Sequence, residues 1–470
     1  MIIIKNKITF NGNKKIYYIE NLINIPKAFN HDSDFEIGKG IVYYAYTTSE
    51  IEALNFYRKN KFTTNDLKYK WNKEINKQDY LYKLSKSVES SIDLPNTISP
   101  DFTPRPHQMV AIEFGEITDG NFIIADQQRT GKTYSSLLYV LSQKWTSCLI
   151  VCPSKVCSVW EKMIFEISSR YAKILKSNDS IEKGFNICSY DILHTINDIN
   201  VDITIADEAH FFVNGTSRRN HAIHNIVSKK KICLTGTPIL NSAIEILEIL
   251  NWLNPELSKE MRLFIQPYLD LHSDNYTVAN LLGKELKRRC LLLRETNQVG
   301  DTNEPNINFI EIDTYIDNPK NLQEVGKAMI DYAIEYLKCF QNKIVVMFYH
   351  QDVGKMLSAR LGSKSIIING TNSKKEVSNA IEEFRNNDNI QFLCGSEVLA
   401  EGIDLSFCDH MLILQSSYSM RTDQVRERCN NIYKERNVTI DVLTIPSTQS
   451  ERQYKILEGK YNLQHGLRDA

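Results

Sequence analysis

The stretch Asn121-Phe-Ile-Ile-Ala-Asp-Gln-Gln-Arg-Thr-Gly-Lys-Thr133 joins a short apolar run to a polar loop that ends in Gly-Lys-Thr. A helical pattern follows over residues 134–141. A strand, a loop of this composition and a helix together predict a phosphate-binding loop, because the N–H groups of the loop and of the helix N-terminus point at phosphate oxygens. The sequence therefore predicts a nucleotide site in which Thr130 to Thr133 hold the phosphates.

Three residues of this loop have specific expected roles. Gly131 permits the close approach of the backbone, Lys132 is expected to reach the β- and γ-phosphates of ATP, and Thr133 is expected to bind Mg²⁺. Phosphate loops usually begin with a glycine, and Asp126 stands in that place here. The pattern is therefore imperfect, and its interpretation depends on the strand before it and the helix after it.

A second informative pattern is Ile203-Thr-Ile-Ala206 followed by Asp207-Glu208-Ala-His210. An apolar strand that ends in two adjacent carboxylates suits a metal–nucleotide site, with Asp207 holding Mg²⁺ through water and Glu208 activating the attacking water. An acidic turn at a strand end is the alternative, and such turns are common in any protein. The phosphate loop upstream makes the metal–nucleotide interpretation the favoured one.

Short apolar runs alternate with helical patterns through the chain after residue 95. This alternation is typical of parallel sheets that are covered by helices on both faces. We expect two such α/β domains, at residues 96–300 and 301–470, after an α+β module at residues 1–95 that begins with a hairpin around Asn11-Gly12. A polar stretch punctuated by prolines, from Pro95 to Pro106, is expected to be a linker.

Residues 58–86 interleave lysine and arginine with aromatic residues. That mixture suits contacts to backbone phosphates together with stacking on bases, and it makes Lys68, Lys70 and Trp71 candidate nucleic-acid residues. A solvated helical face with aromatic anchors to a core explains the same pattern equally well. The sequence leaves these two interpretations open.

The chain of 470 residues has a formal net charge of −1, so a nucleic-acid partner would have to meet local basic surfaces. Its ten cysteines show no zinc-binding spacing and are expected to be idle thiols in a reducing compartment. The sequence shows neither the layout of a signal peptide nor the ~20 apolar residues of a membrane span. The expected location is the cytoplasm, or the host cytoplasm if a phage encodes the protein.

Further segments match one family in order and spacing. The chain resembles the superfamily-two helicases and translocases, and within them the Swi/Snf-like branch, from about Arg105 to the C-terminus. The segments at 250–257 and 291–296 are similar to that branch in particular. The resemblance implies two tandem RecA-like parallel-sheet motor domains that hydrolyse ATP with Mg²⁺. It also implies DNA, double-stranded or branched, as the partner of a chain that works as a monomer.

The resemblance implies site residues beyond Lys132, Asp207 and Glu208. For catalysis and nucleotide binding, they lie in the adenine-reading segment, the phosphate loop and the motifs of the second domain: Arg105, Gln108, Arg129, Thr130, Gly402, Asp404, Gln424 and Arg428. Those expected to contact nucleic acid follow two strands of the first domain: Pro153, Ser154, Lys155, Trp160, Thr235, Gly236 and Thr237.

Three features depart from the family pattern. Arg129 stands where the phosphate loop usually has glycine, and Asn431 stands where a second arginine usually stabilises the transferring phosphoryl group. Such an arginine is worth ~10³–10⁵ in rate in other motors, so Arg426 or another basic residue substitutes for it or turnover is slow. The third feature is the compact interval 210–291, which argues against an enzyme directed at nucleosomes.

The expected function is an ATP-dependent DNA translocase or helicase that remodels forks or migrates branches in replication, recombination or repair. Two alternatives stay open. One is an RNA helicase or the motor of a restriction system, which the segments 250–257 and 291–296 and the lack of a nuclease motif disfavour. The other is a nucleotide-sensing protein with little turnover, which Arg129 and Asn431 motivate.

Overall fold

The computed structural model describes residues 2–9, 12–20, 30–36, 40–47, 49–61, 65–127, 130–236, 238–239, 242, 244–270, 275–299, 306–400, 405–415, 429, 438–452, 463 and 465–470. Two compact units divide the chain. The first comprises Met1–Gln127, Gly131–Glu295 and Asn462–Ala470, and the second comprises Gln128–Thr130 and Thr296–Tyr461. Residues 128–130 and 296–461 are thus the two segments that fall outside the first unit.

An antiparallel sheet and two helices open the first unit. They are β1 Ile2–Thr9, β2 Gly12–Glu20, β3 Asn30–Glu36, β4 Gly40–Thr47, α1 Glu50–Asn60 and α2 Asn65–Leu84. The strands lie in the order β1-β2-β4-β3, and Thr9 opposite Gly12 confirms the predicted hairpin. Helix α1 begins at the cap Ser49, whose side chain accepts a hydrogen bond from the backbone N–H of Glu52, and ends at Lys61 in the left-handed region.

A parallel sheet forms the centre of the first unit. Its strands are β5 Asn121–Ile124, β6 Ser147–Cys152, β7 Ala172–Ile174, β8 Gly184–Ser189, β9 Asn200–Asp207, β10 Val227–Leu234 and β11 Leu291–Leu292. They lie in the order β11-β5-β10-β9-β6-β8-β7, and each neighbouring pair is parallel. Because all the strands run in one direction, their carboxyl ends share one edge of the sheet.

Helices cover both faces of this sheet. They are α3 Pro106–Ile117, α4 Lys132–Ser142, α5 Cys157–Ser168, α6 Arg218–His224, α7 Glu245–Leu253, α8 Pro255–Asp270 and α9 Asn275–Lys287. Successive residues of one strand enter different cores: Ile123 packs in one, and Phe122 and Ile124 pack in the other. Both faces of the strands are thus buried, as the continuous apolar runs of the sequence predict.

The second unit contains another parallel sheet. It consists of β12 Asn306–Glu311, β13 Ile344–Met347, β14 Ser365–Ile368, β15 Phe392–Gly395, β16 His410–Ile413 and β17 Thr439–Thr444, with helices α10 Thr296–Val299, α11 Leu322–Leu337, α12 Gln351–Leu361 and α13 Lys374–Asn386. The strand order is β12-β17-β16-β13-β15-β14, with parallel neighbours throughout. The predicted fold class, two parallel-sheet α/β units, is therefore confirmed.

The opening helices and the proline-rich stretch both pack within the first unit. Asn55 of α1 donates a side-chain hydrogen bond to Glu285 of α9 at 2.9 Å. Ile98, in the stretch predicted as a linker, is buried in the core beneath α3. Among the residues that the structure describes, no helix is long and apolar enough to cross a membrane.

Candidate nucleotide and nucleic-acid site

The predicted phosphate loop connects the carboxyl end of β5 to the first turn of α4. Gly131 precedes α4 with φ of 89°, in the left-handed region that favours glycine. A Cβ atom at this position would lie 2.3 Å from Nε2 of Gln108. Both the backbone conformation and the packing therefore require the glycine, and they place the loop against the helix that carries Gln108.

Lys132 lies inside the curve of the loop. Its Nζ donates hydrogen bonds to the backbone carbonyls of Asp126 at 2.9 Å and of Gln127 at 3.1 Å. Thr130 is buried, and Thr133 is partly exposed in the first turn of α4. The ammonium group is thus held at the loop by weak neutral acceptors, which an anionic phosphate could replace.

The predicted adenine-reading segment adjoins the same loop. Arg105 caps α3, and its backbone N–H donates to Oε1 of Gln108 at 2.9 Å. Nε2 of Gln108 donates a long hydrogen bond of 3.5 Å to the Gly131 carbonyl. The structure therefore brings Gln108 and the phosphate loop together, as the order of the motifs implies.

The acid pair lies at the carboxyl end of β9. Burial and the neighbouring Glu208 raise the pKa of Asp207 to about 6, whereas the charge of Lys132 and a hydrogen bond from Trp160 oppose this rise. The Asp207 carboxyl is therefore close enough to Lys132 for the two charges to interact. Glu208 adopts φ of 50°, and its Oε2 lies 3.3 Å from Nδ1 of His210. The loop and the acid pair thus meet at one edge of the sheet.

Trp160 has a different position from the one that the sequence predicts. Its side chain is only 2% exposed, and its indole Nε1 donates to Oδ2 of Asp207 at 2.8 Å. It therefore presents no surface for nucleic acid and instead orients the carboxyl group of the acid pair. The neighbouring Ser154 and Lys155 are exposed beside Pro153 in a short 3-10 turn after β6, so they stay candidates for nucleic-acid contact.

Two more candidate residues are corrected by their burial. Thr235 follows β10 and is fully buried, whereas Gly236 beside it is partly exposed. Trp71 packs against the rings of Tyr17 and Tyr57 at centroid distances of 6.0 and 5.5 Å, so it is a core anchor and not a stacking surface for a base. Of the two interpretations of residues 58–86, the aromatic anchor to a core is the one that holds for Trp71.

The lysines of α2 lie on its outer surface. Lys68 and Lys70 are exposed, and Nζ of Lys70 lies 3.3 Å from Oε1 of Glu50. Tyr69 is 79% exposed, and Lys73 and Lys77 follow it at intervals of four residues, which places all three on one face of the helix. The residues Tyr69, Lys73 and Lys77 form what we call the α2 basic row.

Several predicted residues lie outside the described residues. They belong to the phosphate loop, to the segment after β10 and to the motifs of the second unit: Arg129, Thr237, Gly402, Asp404, Gln424, Arg428 and Asn431. The structural account of the site therefore concerns the first unit.

Sequence reasoning missed one residue of this edge. Arg294 lies two residues after the end of β11, and its side chain forms a buried ion pair with Asp126, in which Nη2 lies 2.5 Å from Oδ2. The segment around Arg294 served only to indicate a branch of a family, and no role was assigned to its charge. The apolar run that precedes it was the available signal, because a charge at the end of a buried parallel strand lies at the ligand-binding edge.

A phosphate loop after one parallel strand and an Asp-Glu pair after another define a nucleotide hydrolase of the phosphate-loop class. Residues 69–308 match the family model described as SNF2-related domain, and residues 328–432 match the one described as helicase conserved C-terminal domain. The chain therefore belongs to the SNF2-related family, and it is an ATP-hydrolysing helicase of that family.

Individual relatives differ in how much of their length is matched. The chain is 23% identical over 471 residues to the uncharacterized ATP-dependent helicase YqhH of Bacillus subtilis, a match that covers 82% of this chain and 84% of that protein. It is 26% identical over 187 residues to the DNA annealing helicase and endonuclease ZRANB3 of Bos taurus, covering 36% of this chain but only 17% of that protein. The SWI2/SNF2 ATPase core of Sulfolobus solfataricus in complex with double-stranded DNA aligns with 19% identity and a TM-score of 0.42, covering 78% of this chain and 93% of that one.

Proposed function

We propose that the protein is an ATP-driven translocase that acts on double-stranded or branched DNA. The observation that carries this proposal is the meeting of Lys132 and Asp207 at the carboxyl edge of the first parallel sheet. A cation on the phosphate loop after β5 and a carboxylate pair at the end of β9, with β10 between the two strands, are the parts that nucleoside-triphosphate hydrolysis needs. The similarity to the DNA annealing helicase and endonuclease ZRANB3, and to a DNA repair and recombination protein of Drosophila persimilis, supports DNA as the partner.

The residues fit a magnesium ion at this edge. Burial raises the pKa of Asp207, and the neighbouring Glu208 carboxylate raises it further, so a divalent cation at this position would offset the repulsion between the two carboxylates. The Thr133 hydroxyl and the Asp207 carboxylate offer oxygen ligands, which Mg²⁺ prefers. When bound, Mg²⁺ would neutralise charge that develops on the phosphates.

The protein side chains would divide the remaining work. Lys132, which now donates to the carbonyls of Asp126 and Gln127, would hold the β- and γ-phosphates of a bound nucleotide. Glu208 takes the position of the general base, and Nδ1 of His210 beside it restricts where its carboxylate points. Gln108, whose Nε2 donates to the Gly131 carbonyl of the loop, would contact the adenine ring. Arg105, Thr130 and Gly131 complete the proposed nucleotide site.

A DNA-stimulated phosphate-release assay tests this proposal. We expect double-stranded and four-way-junction DNA to accelerate hydrolysis by the wild type, and Lys132→Ala and Glu208→Gln to abolish the stimulation. Lys231→Ala is the matched control, because Nζ of Lys231 also donates to a backbone carbonyl, that of Trp252, but away from the loop. If RNA accelerates ATP hydrolysis and DNA does not, the proposed DNA substrate is wrong. If the wild type behaves as Glu208→Gln does with every nucleic acid, the motor function is wrong.

We also propose that the exposed lysines of the opening helices contribute to DNA binding. Lys68 and Lys70 lie beside the α2 basic row, and within the described residues no carboxylate forms an ion pair with Lys73 or Lys77. Unpaired lysines beside an exposed tyrosine suit a phosphate backbone. Deletion of residues 1–95 would expose the core that α1 shares with α9, so surface variants test this better.

The double variant Lys73→Glu with Lys77→Glu is expected to weaken junction binding and to reduce its salt dependence. Basal ATP hydrolysis without DNA should stay at the wild-type rate. The control is Lys144→Glu with Lys183→Glu, two exposed lysines that precede β6 and β8 and therefore lie at the amino edge of the sheet. Equal DNA affinity in the two double variants would show that the α2 basic row is not part of the DNA-binding surface.

A further inference from the structure

Asp126 and Arg294 form a fully enclosed ion pair behind the phosphate loop. Their side chains are 1% and 0% exposed, and Nη2 of Arg294 lies 2.5 Å from Oδ2 of Asp126. The backbone N–H and Nε of Arg294 both donate to Oδ1 of Asp126, at 2.9 and 3.0 Å. The carboxylate thus receives three hydrogen bonds from one residue, and its orientation is fixed.

This geometry explains how an aspartate can occupy the place that phosphate loops usually give to glycine. The Asp126 side chain turns into the interior toward Arg294, and its backbone carbonyl accepts the hydrogen bond from Lys132. The backbone N–H of Gln127 donates to the Arg294 carbonyl at 3.0 Å, which ties the next residue of the loop to the same anchor. The first part of the loop therefore follows the path of Arg294.

Arg294 also contacts the helix that carries the predicted adenine-reading residue. Its Nη1 donates to the His107 carbonyl at 2.5 Å, one residue before Gln108 in α3. A second, longer hydrogen bond from Nη1 reaches the Ser87 carbonyl at 3.3 Å. One guanidinium thus connects the phosphate loop and α3, the two elements that border the proposed nucleotide site.

We propose that Arg294 is a positioning residue for ATP binding, which holds the phosphate loop through Asp126 and helix α3 through His107. The guanidinium touches no nucleotide itself, because its side chain is completely buried. A buried ion pair costs desolvation that apolar residues would avoid, so geometry and not stability is the reason to keep one here. Lysine cannot replace it, because only the planar fork of arginine reaches both oxygens and a carbonyl at once.

The test compares nucleotide affinity in matched variants. Arg294→Lys keeps the charge but loses the fork, and Asp126→Asn keeps an acceptor but loses the charge. The control is Arg289→Lys, five residues upstream, where Arg289 pairs with the buried Glu285 on α9 away from the loop. Affinity is measured with a fluorescent, non-hydrolysable ATP analogue, and the unfolding temperature is measured with and without that analogue.

We expect Arg294→Lys and Asp126→Asn to weaken binding of the analogue about tenfold, as loss of one charged hydrogen-bonded contact does. Arg289→Lys should lower the unfolding temperature but bind the analogue as the wild type does. In hydrolysis, KM should rise with the loss of affinity while kcat at saturating ATP falls by less than about threefold, because Arg294 does not contact the reacting atoms.

Two results would overturn the inference. The first is an Arg294→Lys variant that loses stability as Arg289→Lys does, yet binds the analogue as tightly as the wild type. If Arg294→Lys does not fold, the double variant Asp126→Asn with Arg294→Gln is measured instead. The second overturning result is wild-type affinity for the analogue in that double variant. The inference rests on the nucleotide site of the proposed function. A wild type that binds the analogue but is not stimulated by DNA would refute the proposed DNA motor and leave the inference standing.

Discussion

The two parallel sheets each hold a buried charged cluster, but at opposite ends of their strands. In the first unit, Asp126, Asp207 and Arg294 lie at or just beyond the carboxyl ends of β5, β9 and β11. In the second unit, His410 and Asp441 lie in the amino-terminal halves of β16 and β17. Ligands of parallel α/β sheets bind outside the carboxyl ends of the strands. The first cluster is therefore a candidate for function, whereas the second is expected to serve stability alone.

The second cluster is as well hydrogen-bonded as the first. Oδ2 of Asp441 lies 2.5 Å from Nε2 of His410 and accepts from the Tyr336 hydroxyl at 2.6 Å, and Oδ1 accepts from Asn308 at 2.8 Å. Burial and hydrogen bonding by themselves thus do not distinguish a site from a structural cluster. The position along the strand does distinguish them, and four experiments test this difference.

The largest effect is expected at glycines with left-handed backbones. Gly131→Ala should lose ATP binding by about a hundredfold, because it adds both left-handed strain and a clash with Gln108. Gly362→Ala in the second unit, where φ is 62° and no atom lies within 4 Å of the added Cβ, should carry only the strain of about 1–2 kcal/mol. Nucleotide titration and thermal unfolding of both variants measure this. Equal loss of ATP binding would contradict the assignment of the carboxyl edge.

Two buried tryptophans provide the next comparison. Trp160→Phe removes a hydrogen bond to the Asp207 carboxylate, and we expect ATP hydrolysis to fall about tenfold. Trp252→Phe removes a hydrogen bond of 2.9 Å to the Ile223 carbonyl, and it should cost only about 1 kcal/mol of stability. The bond from Trp160 lowers the pKa of Asp207, so its loss should shift the acidic limb of the rate profile to higher pH. Unchanged profiles in both variants would count against the role of Trp160.

Asp441→Asn tests whether the second cluster contributes to stability and not to activity. Burial raises the pKa of Asp441, but hydrogen bonds from His410, Tyr336 and Asn308 outweigh it and hold the pKa below the ordinary value. The stability that the carboxylate contributes is thus present at neutral pH and is lost as pH falls through the folded-state pKa. We expect the variant to lose about 1–3 kcal/mol at pH 7 and less in acid, as measured by denaturant unfolding. DNA-stimulated hydrolysis should stay within about twofold of the wild type, and a larger loss would show that this cluster serves function.

Glu52 in α1 provides the smallest effect, because it is a buried carboxyl of a helix and belongs to neither strand cluster. Burial raises its pKa to about 7, which the hydrogen bond from Tyr268 partly opposes. The folded protein therefore binds this proton more tightly than the unfolded chain, and stability falls as pH rises from about 4.5 to about 7. Glu52→Gln should gain on the order of 1 kcal/mol over the wild type at pH 8 and nothing at pH 4, as measured by thermal unfolding. An equal gain at both pH values would contradict the raised pKa.

The sequence predicted the parallel sheets and the phosphate loop because both have local signatures. A continuous apolar run such as Cys148 to Cys152 predicts a strand that is buried on both faces of a sheet. In Gly-Lys-Thr after a strand, the glycine is needed because its backbone is left-handed. Tryptophans were harder to place, because an aromatic ring suits a core and a base-stacking surface equally well in one dimension. Trp160 was expected to contact nucleic acid and Trp71 was a candidate for it, and both are buried.

The chain's own order of residues indicated a nucleotide-phosphate site, because the Lys132 loop and the Asp207 pair each follow an apolar strand and support each other's interpretation. Tertiary structure was required for the contacts that hold those residues in place. Asp126 meets Arg294 across 168 positions of sequence, and Trp160 meets Asp207 across 47. A hydrogen bond between residues distant in sequence forms only when their strands are brought close together. The strand order β11-β5-β10-β9-β6 differs from the order in the sequence, so no local sequence pattern predicts these contacts.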